Sequence, residues 1–231
     1  MSVAAALEQV RQCIHDAALT HGRDASTVKL VAVSKTHPAA AIREAYAAGQ
    51  RDFGENYVQE LVQKAQELAD LPELRWHLIG HLQRNKARHV APLVSLVHTV
   101  DSVELARELA KRFAGASPSA RDRLDVLVEV SIAGELQKHG APPTEVAALL
   151  DAIDALPELA LRGLMCVPPL SEDAAAARPH FEALRQLRDQ HGGAARLPEL
   201  SMGMTHDLEH AIAAGATLVR VGTAIFGRRA P

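Results

Sequence analysis

Lys35 is the first residue whose position suggests chemistry, because it directly follows the short apolar run 30–34, LVAVS. A lysine at the end of a buried strand is partly desolvated, and desolvation lowers the pKa of an amine. Such an amine can form a Schiff base with a carbonyl compound. An ordinary lysine that reaches solvent from a strand end is the alternative, so Lys35 alone does not decide the chemistry.

Two turns that combine glycine with hydroxyl groups could bind an anion. The segment 200–205 (LSMGMT) contains Ser201 and Gly203, and the segment 220–223 (RVGT) contains Gly222 and Thr223. Backbone N–H groups exposed in such turns beside a helix bind phosphate. A tight turn would explain either glycine alone, but the two turns together favour a phosphate site.

Arg220 alternates with two valines in the run 217–221, so its side chain points to the opposite face of the strand from theirs. If the valines pack outward, the arginine points inward, where an unpaired charge is costly. Its partner would be either a ligand atom or Glu129. A Schiff-base lysine, a phosphate site and an inward arginine together fit pyridoxal 5′-phosphate (PLP), whose aldehyde, phosphate and pyridine nitrogen each need a partner.

The elements that must position these residues are a leading helix and about eight β-then-α units. The predicted strands are 30–34, 51–53, 75–79, 96–100, 125–131, 161–167, 197–202 and 217–221, and the helices that follow them include 39–48, 57–68, 83–91, 103–113, 144–155, 171–191 and 206–214. This count predicts an α/β fold, a single (β/α)8 TIM barrel with an extra N-terminal helix. A doubly wound sheet is the alternative, but it usually has fewer strands and a glycine-rich first turn, which KTHP is not.

The barrel fold predicts that the strand ends form one opening, and we expect a single domain over residues 1–231. Three further polar residues could line the opening, although one such residue alone is more often part of the scaffold. They are Glu55, Asn56 and His77.

Composition and charge narrow the class of protein. The 25 Lys and Arg residues against 28 Asp and Glu give a formal net charge of −3, which offers no basic surface for nucleic acid. No apolar stretch approaches the ~18 residues that would cross a membrane, and the N-terminus lacks the features of a signal peptide. Cys13 and Cys166 have no metal-type spacing, which favours a reducing compartment. We expect a cytoplasmic monomer.

Six segments resemble the YggS or PROSC type of PLP homeostasis proteins, a PLP-binding family similar to the N-terminal domain of alanine racemase. Together they span nearly the whole chain. The segments are AVSKTHP (32–38), DFGENYVQE (52–60), WHLIGHLQRNK (76–86), RGLMCVPP (162–169), SMGMTHD (201–207) and RVGTAIFG (220–227).

The resemblance implies a role for each matching residue. Lys35 would carry the Schiff base, and Arg220 would face the pyridine nitrogen. The phosphate binders would be Ser201, Gly203, Gly222 and Thr223, and the residues lining the cofactor would be Asn56 and Met165. Two positions depart from the family pattern: Ser131 stands where an asparagine is frequent, and Thr205 replaces the usual serine but keeps the hydroxyl.

An arginine beside the pyridine nitrogen keeps that nitrogen unprotonated, which weakens carbanion chemistry. A racemase also needs a second acid or base, which related enzymes take from an additional domain that this length does not accommodate. We therefore expect no catalytic residue, and a protein that holds PLP and supplies it to PLP-dependent apoenzymes, with indirect effects on amino-acid and keto-acid balance. The alternatives are a racemase-like PLP enzyme in which His77 or a water supplies the base, and a cofactor-free, aldolase-like barrel that uses Lys35.

Other reactive side chains have simpler explanations. Lys86 and Lys138 could hold a second PLP, but a solvated surface lysine is the commoner case. His206 and His210 have the i, i+4 spacing of a metal site on a helix, yet no third ligand is near in sequence. We therefore expect no metal site.

Overall fold

Eight parallel strands close into a barrel in which each strand pairs with the next along the chain and β8 pairs with β1. The structure is a computed structural model that describes residues 2–116, 121–134 and 139–227. The strands are β1 (Lys29–Val33), β2 (Asp52–Glu55), β3 (Arg75–Leu78), β4 (Leu96–Val100), β5 (Leu124–Glu129), β6 (Leu159–Met165), β7 (Glu199–Ser201) and β8 (Leu218–Val221). The predicted (β/α)8 barrel is confirmed.

Helices surround the barrel and connect its strands. They are α1 (Val3–Thr20), α2 (Ala39–Ala47), α3 (Val58–Glu67), α4 (Ala87–Val90), α5 (Val103–Ala114), α6 (Val146–Asp154), α7 (Arg178–Gln190), α8 (Gly193–Arg196), α9 (Leu208–Ala213) and α10 (Thr223–Phe226). Short 3₁₀ turns add Ala25–Thr27, Arg84–Lys86, Pro143–Glu145 and Ala174–Ala177.

The leading helix α1 packs against α2, α9 and α10, across the place where the first and last units of the barrel meet. It begins at Ser2, whose hydroxyl accepts a hydrogen bond from the backbone N–H of Ala5. Leu7, Val10 and Ile14 bury one face of the helix at helical spacing. The extra N-terminal helix is therefore confirmed.

Two apolar clusters stabilise the barrel. The larger lies between the strands and the helices, and the smaller fills part of the barrel interior with Val31, Leu96, Leu127, Met165 and Leu218. The interior also contains charged and polar side chains, which such an interior accepts only if they are paired. The pairing of these groups defines the candidate site.

Two predicted helices differ most from the observed ones. The helix expected over 171–191 begins only at Arg178, because the Asp173 side chain accepts a hydrogen bond from Ala175 N and a 3₁₀ turn forms first. Pro179 then occupies the first turn of α7, where its missing N–H costs nothing. The basic helix expected over 83–91 divides into the 3₁₀ turn Arg84–Lys86 and the four-residue α4.

Both cysteines are free thiols, Cys13 exposed and Cys166 buried. Burial raises the pKa of the Cys166 thiol to about 12, which leaves it unreactive. Within the described ranges, no helix has the length and apolarity needed to cross a membrane.

Candidate functional site

Lys35 lies in a tight turn just beyond the end of β1. Ser34 is the last residue bonded to the sheet, through its N–H to Gly54 O at 3.0 Å. After Lys35, Thr36 has φ of +66°, a left-handed conformation that no other described non-glycine residue adopts. Its N–H donates to Glu60 Oε2 at 2.8 Å, which helps to hold the turn. A strained residue beside a candidate site is common where function fixes the backbone.

A buried ion pair supports this turn from outside the barrel. Lys64 of α3 donates from Nζ to Ser34 O at 2.8 Å, to Glu55 Oε1 at 2.7 Å and to Glu60 Oε2 at 2.9 Å. Ser34 Oγ also donates to Glu55 Oε1, at 2.7 Å. Burial raises the pKa of the Glu55 carboxyl, although its hydrogen bonds with Lys64 and Ser34 oppose the shift.

The expectation that Glu55 lines the opening is wrong. Successive side chains of a strand point to opposite faces, so Glu55 turns outward to α3 while Asn56 turns inward. Gly80 packs directly on Asn56, because a Cβ at position 80 would lie 2.3 Å from Asn56 O. Thr99 Oγ1 donates to Gly80 O at 2.8 Å and fixes this contact.

A cavity of about 270 Å³ opens at the ends of β2, β3 and β5. Two fully buried acceptors that line it, Asn56 Oδ1 and Glu129 Oε2, have no hydrogen-bond partner. Burial, and then the charge of Asp101, raise the pKa of Glu129 to about 7, although Arg220 opposes the shift. Buried polar atoms are normally paired, so the cavity suits a polar occupant.

Arg220 is buried inside the barrel, as its alternation with the valines predicts. Its Nη1 donates to Ser201 Oγ at 2.6 Å, and its Nη2 donates to Cys166 O at 3.0 Å. Glu129, the protein partner considered from the sequence, influences Arg220 through its charge and makes no hydrogen bond with it among the described contacts. The two hydrogen bonds of the arginine therefore go to β7 and to the residue that follows β6.

A chain of hydrogen bonds continues from Arg220 through the barrel, and sequence reasoning missed it. Ser201 Oγ lies 2.8 Å from His98 Nδ1, and His98 Nε2 lies 2.9 Å from His77 Nδ1. His77 Nε2 lies 3.0 Å from Asp52 Oδ1. We call these five residues the polar column. At its far end Asp52 accepts two hydrogen bonds from Arg75, at 2.8 and 2.7 Å.

Burial and hydrogen bonds shift the pKa of two residues in the polar column, His98 and Asp52. Burial, and then the charges of His77 and Arg220, lower the pKa of His98 well below its usual value, so its ring is neutral. Burial alone would raise the pKa of Asp52, but hydrogen bonds from Arg75 and His77 hold it well below the usual value. Both ring nitrogens of His77, the alternative base considered from the sequence, have partners inside the barrel, His98 and Asp52.

The remaining predicted residues lie at three neighbouring strand ends. Met165 ends β6 and Ser201 ends β7, and the two are paired in register. Gly203 has φ of +93°, and a Cβ there would lie 2.5 Å from the Ala211 side chain, so only glycine fits. Gly222 and Thr223 form the junction of β8 and α10, where Gly222 lies against Val33 of β1. The Ser201 hydroxyl is engaged in the polar column.

The other side chains considered from the sequence are not part of this group. Lys86 is half-buried in a 3₁₀ turn, and Lys138 lies outside the described residues. His206 Nε2 lies 3.0 Å from Glu172 O, and His206 precedes α9, so it does not share a helix with His210.

Known proteins resemble this chain over nearly its whole length. The family model of the alanine racemase N-terminal domain matches residues 10–230. A pyridoxal phosphate homeostasis protein of Pseudomonas aeruginosa is 49% identical over 229 residues, covering 99% of this chain and 96% of the relative.

Solved structures show the same architecture. PipY of Synechococcus elongatus with PLP bound is 41% identical, with a TM-score of 0.80, and the match covers 98% of this chain and 100% of PipY. Alanine racemase of Corynebacterium glutamicum, at 14% identity and a TM-score of 0.71, shares the fold; the match covers 96% of this chain and 62% of the racemase.

Proposed function

Because the chain belongs to the alanine racemase N-terminal domain family, and within it to the pyridoxal phosphate homeostasis proteins, we propose that it binds PLP and takes part in PLP homeostasis. The bound cofactor supplies a reactive aldehyde on a pyridine ring. The observation that carries the proposal is the buried Arg220 at the barrel opening, fixed at the end of β8 beside the end of β1 that leads to Lys35.

The residues present fit PLP. Lys35 would hold the aldehyde carbon covalently, and the turns after β7 and β8 would hold the phosphate at Ser201, Gly203, Gly222 and Thr223. Asn56 and Met165 would line the ring. Asn56 Oδ1 is a buried acceptor without a partner, which supports a polar occupant at this end of the barrel.

The function we propose is to hold PLP and pass it to apoenzymes, without turnover. Arg220 is always charged, and two acceptors orient it, so it keeps a neighbouring pyridine nitrogen unprotonated. That limits the ring as an electron acceptor. His77 is hydrogen-bonded to His98 and Asp52 inside the barrel, which does not favour it as the second base. We place this activity in the cytoplasm, which two free thiols support, and assign it to a monomer.

Borohydride reduction of the PLP-loaded chain followed by peptide mapping tests the attachment. We expect the modified peptide to contain Lys35, and Lys35→Ala to lose the visible absorbance of bound PLP. Lys86→Ala and Lys138→Ala are matched controls that keep the absorbance. Labelling of either control position in place of Lys35 would refute the assignment.

A second experiment separates a carrier from an enzyme. The loaded protein is mixed with an apo-aminotransferase, whose recovered activity measures transfer, and separately with L-alanine alone. We expect transfer and no conversion of the enantiomer. Multiple turnovers per hour with L-alanine would instead show a racemase, and a wild-type chain that takes up no PLP would favour the cofactor-free barrel.

A further inference from the structure

Three side chains meet at the barrel opening although they come from separate connections. His81 follows β3, Asp101 follows β4, and His139 lies between β5 and α6. One ligand atom from each lies within 4.8 Å of the other two, and His81 Nδ1 is 3.5 Å from Asp101 Oδ2. The two imidazole rings are stacked with centroids 3.6 Å apart and planes 9° apart.

This set of groups has the composition of a transition-metal site. Two imidazoles and one carboxylate form a common set of ligands for zinc and similar ions. Bonds of about 2.0–2.2 Å to a tetrahedral ion place neighbouring ligand atoms about 3.4 Å apart. The His81–Asp101 distance already has this value, and a rotation of the exposed His139 side chain brings the third ligand atom, already within 4.8 Å, to the same spacing.

The surroundings also favour a cation. Glu129, whose side chain lines the same cavity as both histidines, is 9% exposed, and its Oε2 has no hydrogen-bond partner. Glu129 and Asp101 together place two carboxyl groups at this rim.

We propose that His81, Asp101 and His139 bind a divalent transition-metal ion of the zinc class, with the fourth position open to water. Two of the three ligands, His81 and His139, line the cavity, and the metal site does not depend on the proposed PLP function. A bound ion would join the segments that follow β3, β4 and β5 across the opening.

Titration calorimetry with ZnCl₂ tests the site on the full-length chain, prepared without a polyhistidine tag and dialysed to remove free PLP. We expect one ion per chain. His81→Ala, Asp101→Asn and His139→Gln should each weaken the affinity at least tenfold. His206→Ala and His210→Ala are matched controls at exposed or partly exposed histidines and should bind as the natural chain does. Circular dichroism confirms that each variant is folded.

Cobalt substitution gives a second, independent measurement. Co²⁺ in a four-coordinate site absorbs strongly in the visible range, and we expect this band in the natural chain and not in His81→Ala. Failure of the natural chain to bind Zn²⁺ more tightly than about 100 µM would overturn the proposal, as would binding that survives all three substitutions. Magnesium should bind far more weakly, because it prefers oxygen ligands.

Discussion

Arg220 and Ser201 form a buried hydrogen bond of 2.6 Å that joins the barrel opening to its interior. The serine hydroxyl serves two partners, since His98 Nδ1 lies 2.8 Å away on the other side. Arg220 can only donate and the Asp52 carboxylate can only accept, so one arrangement of protons satisfies every contact with each donor pointing away from Arg220 and towards Asp52. The orientation of the arginine is therefore coupled to a carboxylate on the other side of the barrel.

Replacing Ser201 with alanine should destabilise the fold. The change leaves one N–H of Arg220 and one nitrogen of His98 buried without a partner, and each such group costs about 1–3 kcal/mol. Urea denaturation measures the loss in free energy of unfolding. Ser26→Ala, at an exposed serine, should change stability by less than about 0.5 kcal/mol. Equal stability of the two variants would contradict the importance of this contact.

The neutral His98 should make stability depend on pH. The folded pKa is lowered, so below pH about 6.5 the unfolded chain gains a proton here and the folded chain does not. This group therefore decreases the free energy of unfolding as the pH falls, by at most about 1.4 kcal/mol per pH unit.

Denaturation of the apoprotein between pH 7.5 and 5 measures this effect. His98→Gln should have a flatter dependence than the natural chain, while His15→Gln, at an exposed histidine of α1, should keep the original slope. An unchanged slope in His98→Gln would show that His98 is already charged in the folded barrel.

Arg220 should control the protonation of the pyridine nitrogen in the PLP-loaded protein. The guanidinium disfavours a second positive charge beside it, whereas a carboxylate would favour one. We expect ¹⁵N NMR of labelled PLP to show an unprotonated nitrogen in the natural chain and a protonated one in Arg220→Glu. Arg178→Glu, on the exposed surface of α7, is the control that should match the natural chain. A protonated nitrogen in the natural chain would contradict the role given to Arg220.

Gly80→Ala should displace Asn56. The new Cβ would lie 2.3 Å from Asn56 O, and the backbone must shift at a cost of about 1–3 kcal/mol. We also expect PLP to bind at least tenfold more weakly, which equilibrium dialysis measures. Gly115→Ala is the matched control, because its Cβ would meet Lys111 O at an ordinary 3.4 Å. Tight binding by Gly80→Ala would exclude Asn56 from the PLP site.

Lys64→Met should leave the carboxylate of Glu55 buried and unpaired, at a cost of about 3–5 kcal/mol. Adding Glu55→Gln should restore part of this stability, since the second change removes the uncompensated charge. Lys111→Met, on the exposed face of α5, serves as the control. A double variant less stable than Lys64→Met would contradict the coupling of the two residues.

Local patterns predicted the barrel and the position of its key residues. The inward direction of Arg220 follows from the alternation of side chains along one strand. The same alternation places the side chains of Glu55 and Asn56 on opposite faces at the end of β2. The order of strands and helices likewise follows from short apolar runs and the helical patterns between them. Such features need no knowledge of which strands are neighbours.

The contacts between strands could not be predicted in this way. His98 reaches both His77 and Ser201 because of the stagger of closed strands, which pairs His77 with Leu96 and Met165 with Ser201. His81 and His139 meet although 58 positions separate them in the sequence, since both follow strands that end at the same opening. The alternation in the pattern LVHTV is consistent with His98 pointing into the barrel. It does not identify the residues with which His98 forms hydrogen bonds.

The three hydrogen bonds of Lys64 have a consequence for chemoselectivity. All three N–H bonds of its ammonium group are donated inside a buried cluster, so this amine has no electron pair to offer an electrophile. Lys35 lies one residue beyond the carbonyl that Lys64 binds. An aldehyde that arrives at the opening would therefore not be captured by Lys64, which is buried outside the barrel, so the fold itself suppresses that competing adduct.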